Sequence, residues 1–148
     1  MSNMGIAVKK FDQYKAGDTS YHTKTATEAD VVLFAGITGD YNPLHINGLY
    51  AAETRFRKRV VHGVFTVGLV SAAVTLLGTG GAYVSQDCKF IAPVYIGDTI
   101  TARVEVIDKI PEKKMLVLKT TAFNQNGKDV LVGQAKTIVL EELEAIYP

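Results

Sequence analysis

A second cysteine is missing from this chain. Cys88 stands alone, which excludes an internal disulfide and fits a reducing compartment such as the cytoplasm. Net charge is nearly absent as well. The 16 basic and 15 acidic residues leave +1, so no overall field draws the chain to nucleic acid or to an anionic membrane. The longest apolar stretch, Val64 to Leu77, is interrupted by Thr66, Ser71 and Thr75 and falls short of the roughly 20 residues of a membrane span. The first 18 residues hold no apolar block followed by small residues, so no secretory leader is expected. Dinucleotide fingerprints, P-loops and metal-ligand spacings are missing too, which predicts no cofactor and no metal. With no repeat and no linker, the expectation is one soluble, cytoplasmic domain over residues 1–148.

What is present is an ordinary globular composition, 47% apolar and 21% charged, in a chain long enough to bury one real core. Thr19 to Thr27 is rich in β-branched and aromatic residues and predicts a strand. Thr27 stands three residues before Asp30, a capping-box spacing that opens a helix running to the glycines at 36 and 39. Gly48 to Phe56 has the pattern of a short amphipathic helix. Val64 to Gly81 is different, because its apolar residues surround the segment instead of forming one stripe. A helix apolar all round is one enclosed by its own protein, and Gly80-Gly81 is expected to end it.

Four strand patterns follow, over 82–94, 98–110, 114–125 and 128–142, with Asn126-Gly127 as a tight-turn signal before the last. Strand, helix, buried helix and four successive strands predict an α+β architecture, a curved antiparallel sheet wrapped around one long central helix. This is the hot-dog fold. A sandwich would leave the 64–78 segment unburied.

Between the first two helices lies "TGDYNPLH", residues 38–45. Taken singly, its Gly, Asp, Asn and Pro are common turn residues. Together they do more: Gly39 permits a sharp bend, Pro43 stiffens the segment, and Asp40 and His45 are two titratable groups held close in sequence. Such a pair can hold one small molecule between an acid and a base.

The stretch "ITGDYNPLHINGLYA", Ile37 to Ala51, resembles the hydratase-2 motif of R-specific enoyl-CoA hydratases, the MaoC-like dehydratases of the hot-dog superfamily. Asp40, Asn42, Pro43 and His45 fall at the motif's spacing, and "VVHGVFTVGLVS" is similar to the family's opening of the central helix. The resemblance implies Asp40 and His45 as catalytic residues, with Asn42 and Ser71 toward substrate. It implies syn addition of water to a trans-2-enoyl-CoA, giving the (R)-3-hydroxyacyl thioester, with coenzyme A present only as part of the substrate. It also implies a homodimer, or a higher homo-oligomer of dimers.

An enolate forms on the thioester oxygen during this reaction, and the first N–H groups of a helix are suited to receive it. The N–H of Gly63 or of Val64 is expected there, with Val67, Leu69 and Val70 in the pocket wall. His62 is expected to be a partly buried side chain bonded to backbone, with a supporting role only; Cys88 is expected in packing. The run Arg55 to Arg59 either meets coenzyme A phosphates or is a solvated face. The rivals are a 3-hydroxyacyl dehydratase acting on CoA or acyl-carrier-protein thioesters, a thioesterase, and a non-catalytic acyl-CoA-binding subunit. The central helix has no acid of the kind hot-dog thioesterases often place there.

Overall fold

Thr99–Ile110 carries the clearest two-residue alternation in the chain. In the computed structural model, which describes residues 8–141, it forms β3, with Ile100, Ala102, Val104 and Val106 fully buried. Around it stand β1 (Thr19–Thr25), β2 (Tyr83–Phe90), β4 (Met115–Phe123) and β5 (Asp129–Ile138). All pairings are antiparallel, in the order β1-β3-β4-β5-β2. The expected strands are all found, each somewhat shorter than its sequence pattern. Residues 1–7 of the stretch that lacks a leader pattern, and Glu142 at the end of the last expected strand, lie outside the described residues.

Among the described residues four α-helices join the strands: α1 (Glu28–Thr38), α2 (Pro43–Ile46), α3 (Gly48–Glu53) and α4 (Gly63–Leu76). The start of α1 follows from its capping box. The Thr27 hydroxyl accepts from the Asp30 N–H, and the Asp30 carboxylate accepts from the Thr27 N–H. Burial works against the charged form of Asp30, but bonds from Lys24 and Thr27 outweigh it and hold the carboxyl below its usual range. α1 ends where Gly39 turns left-handed, at φ 80°.

α4 packs on the sheet chiefly against β1 and β3, burying Leu69, Val70, Ala73 and Val74 in the core with Ile100, Val104, Leu116 and Leu118. The hot-dog arrangement is therefore present, with one correction. The helix is not enclosed on every side of the single chain: Val64 is 60% exposed, Leu76 48%, and Gly68, Ser71 and Thr75 are open as well. Val64, Gly68, Ser71 and Thr75 recur at helical spacing, so they form one uncovered stripe. Val64 on that stripe, and Leu76 beside it, are apolar yet open, which made the sequence pattern look uniformly buried.

Three boundaries also differ. Residues 43–46 coil into a helical turn instead of a plain loop, because Asn42 accepts from the Leu44 N–H and Pro43 takes the first helical position. α3 stops at Glu53, where the Thr54 hydroxyl turns back to the Ala51 carbonyl. α4 stops at Leu76, before the Gly80-Gly81 pair. Gly81 serves a close approach instead, since a Cβ there would lie 1.6 Å from the Ile138 carbonyl oxygen. Among the described residues no helix is long and apolar enough to cross a membrane.

Candidate active site

Gly39 turns the chain sharply out of α1, and Asp40 is the first side chain beyond it. Its carboxylate accepts from the Asn42 N–H at 3.2 Å, which fixes the carboxyl relative to the start of α2. His45 sits in the last turn of α2, half-buried. Its Nδ1 donates to the Val60 carbonyl at 2.6 Å, so Nε2 is the nitrogen left for chemistry. The carbonyl of His45 accepts from Arg59 Nε at 2.6 Å, and the guanidinium grips Glu28 at the start of α1. Leu44 and Val60 are joined through backbone at 3.2 Å. α2 is thus laced to residues 59–60 and, through Arg59, to α1.

His62 comes next along the same segment, at the N-cap position of α4. It is 1% exposed, and its Nε2 donates to the Asp40 carbonyl at 3.0 Å. The rings of His62 and His45 lie 4.0 Å apart, centroid to centroid, and Phe34 of α1 packs on His62 at 4.8 Å. A carboxylate oxygen of Asp40 and one ring nitrogen each of His45 and His62 all fall within 4.8 Å of one another. A water bonded at about 2.8 Å to each of two such groups can bridge a span of roughly 5 Å. A carboxylate oxygen of Asp40 and a ring nitrogen of His45 are within the span that one water can bridge. Sequence spacing alone did not bring His62 to this pair; the stacking and the carbonyl bond do.

The pair faces a cavity of about 510 Å³ whose lining includes Arg55, Gly63, Val64, Thr66, Phe90 and Val94. Gly63 opens α4, and the first N–H groups of a helix have no acceptor within it. The Phe90 ring rests on Gly63 so closely that a Cβ would lie 2.9 Å from it. A side chain at 63 would require the Phe90 ring to shift.

The other expected site residues are distributed differently. Asn42 caps α2 and does not line the cavity. Ser71 lines a separate cavity of about 130 Å³ beside Val74, Thr75 and Tyr83. Val67, Leu69 and Val70 do not form the wall, which corrects the expectation for them. Leu69 and Val70 belong to the core and Val67 packs against it, because that face of α4 points into the sheet. The α4 contribution to the cavity comes from its first turn instead.

Within the basic run, Arg59 is used up in the frame around His45, and Lys58 lies over the Tyr95 ring at 4.1 Å. Arg55, exposed and over the Phe56 ring at 4.9 Å, is the cation of the run that lines the cavity. Burial, followed by the nearby Asp87, pushes the Cys88 thiol up, and the side chain packs against the core. Thr66 and Phe90 carried no signal in the sequence. Thr66 reads as one of several hydroxyls in an apolar helix, yet its buried oxygen has no partner among the described residues.

Residues 13–126 match the family model described as "MaoC like domain". The chain is 42% identical over 141 residues to an "(R)-specific enoyl-CoA hydratase" of Rhodospirillum rubrum, covering 94% of this chain and 97% of that protein. It is 40% identical over 142 residues to a "3-hydroxybutyryl-CoA dehydratase" of Methylorubrum extorquens, covering 95% and 90%. Among solved structures, an unliganded R-hydratase of Pseudomonas aeruginosa superposes with a TM-score of 0.83 at 36% identity, covering 90% of this chain and 86% of that one. The match in sequence, spanning the acid–histidine loop and the sheet, and the match in fold agree: the chain is a member of the MaoC-like domain family.

Proposed function

We propose that the protein is an (R)-specific enoyl-CoA hydratase, adding water reversibly across the double bond of a trans-2-enoyl-CoA. One observation carries this reading: Asp40 and His45 lie within reach of a single water, on a cavity that also receives the first turn of α4. The relatives named as hydratase and dehydratase, near full length on both sides, support it.

The steps follow from the geometry. The Asp40–His45 pair takes a proton from the shared water, and the oxygen attacks the β-carbon. The π electrons move through the α-carbon onto the thioester oxygen, where the N–H of Gly63 or Val64 receives the charge. The same pair returns its proton to the α-carbon as the enolate collapses. Both groups end as they began, so water is consumed and no cofactor is required. Arg55 supplies a cation for the coenzyme A phosphates. The dehydratase direction is the same reaction reversed, and the relative named as a 3-hydroxybutyryl-CoA dehydratase favours it as the second reading.

The same reading takes the working unit as a homodimer. β2 is an edge strand with Tyr83, Val84 and Phe90 exposed, and the open stripe of α4 is left uncovered by the sheet. Edges of this kind need a partner, and a second copy offers a matching edge. A cytoplasmic location is consistent with the lone cysteine.

Crotonyl-CoA tests the activity. The conjugated thioester absorbance should fall on adding the protein, with no free thiol released. Thiol release would make it a thioesterase, and loss of neither signal would leave a binding subunit.

A further inference from the structure

We infer that His62 is a positioning residue for Asp40, an assignment that rests on the hydratase reading of the same site. Its Nε2–H holds the Asp40 backbone carbonyl at 3.0 Å, directly at the peptide that follows the left-handed turn of Gly39. Asp40 otherwise has little to fix it. The residue is exposed, and its remaining bonds, to the Thr38 hydroxyl and the Asn42 N–H, are both 3.2 Å long and both local. Among the described residues, only His62 ties this peptide to a distant, buried element.

The histidine is itself well fixed. It is 1% exposed, stands at the N-cap position of the central helix without a side-chain cap bond, and lies packed between Phe34 at 4.8 Å and His45 at 4.0 Å. One ring therefore contacts both members of the proposed catalytic pair, by a hydrogen bond to one and by its face to the other. Its remaining nitrogen, Nδ1, is buried and has no partner among the described residues. A buried polar atom left unpaired costs stability, and an apolar side chain of similar shape would fill the space without that penalty. The feature such a side chain lacks is the Nε2–H. A 1 Å drift of a catalytic group can cost about a hundredfold in rate, so holding Asp40 in register with His45 is the function that the donor performs.

The prediction concerns the whole protein with crotonyl-CoA as substrate. His62→Phe keeps a ring between Phe34 and His45 but removes the donor; kcat should fall about tenfold to a hundredfold, with KM changed less than about twofold. His62→Gln can present an amide N–H near the position of Nε2 and should recover most of the lost rate. In an Asp40→Asn background, His62→Phe should add less than about twofold, because nothing remains to position. The inference is overturned if His62→Phe keeps its kcat, if its loss falls on KM, if Gln does no better than Phe, or if the loss multiplies on that of Asp40→Asn.

Should the Phe variant fail to fold, nitrogen NMR of the unaltered protein decides. His62 must show a protonated Nε2 and a bare Nδ1, and the opposite tautomer overturns the proposal. The hydratase reading fails separately. It falls if the unaltered protein does not hydrate crotonyl-CoA or if Asp40→Asn keeps full rate, whatever the NMR shows.

Discussion

Asp40→Asn should lower kcat for crotonyl-CoA hydration by roughly a thousandfold, and His45→Gln by a comparable factor. In the first variant the amide oxygen can still accept from the Asn42 N–H, so the bend before α2 survives. What disappears is the ability to take a proton from water. Asp40 is exposed, and its replacement should leave the melting temperature nearly unchanged. His45→Gln is less innocent, because the Nδ1 bond to the Val60 carbonyl at 2.6 Å is lost. About 1–2 kcal/mol of stability should go with it. The two losses should not multiply in the double variant, since one water served by both groups is one device. Rates near those of the unaltered protein in both single variants would end the catalytic assignment while leaving the family membership standing.

The second large effect concerns the first N–H of α4. Gly63→Pro deletes that donor at the helical position where proline is best tolerated. His62 already has ψ 128°, the extended conformation that a residue before proline adopts. The Phe90 ring would obstruct any side chain at 63, so the comparison is made in a Phe90→Ala background. There Gly63→Ala retains the N–H and Gly63→Pro does not. The proline variant should hydrate crotonyl-CoA about a hundredfold more slowly than the alanine variant. Equal rates would move the enolate's donor away from Gly63 and onto Val64 or another group.

Much of the frame was legible in the sequence because the signals were local. Thr27 and Asp30 announce α1 by three-residue spacing, and the alternation from Thr99 to Val106 announces β3. Asp40 and His45 are close in sequence, and the stiff bend between them keeps them close in space. Features built from distant segments were not legible. Phe90 reaches Gly63 from the end of β2, and His62 reaches Asp40 across 22 positions.

Arg59 illustrates the same limit. In sequence it is one cation in a run of four, whereas in the structure it is a brace between Glu28 and the His45 carbonyl. The open stripe on α4 was concealed for a different reason. Val64 and Leu76 are as apolar as Leu69 and Val70, and composition does not tell an apolar face turned to the sheet from one left open in the single chain. Ser71 belongs to that stripe and lines the smaller cavity, away from the Asp40–His45 pair.

The most direct test of the shared water is the geometry of its addition. Crotonyl-CoA is hydrated by the protein in D₂O, and the early product is examined for the relative positions of the new hydroxyl and the new deuterium. One water held between Asp40 and His45 delivers both to the same face of the former double bond, and the carbinol carbon has the R configuration. Anti addition, or a mixture of faces, would mean that hydroxyl and proton come from separate sources and that the two side chains do not act on one molecule.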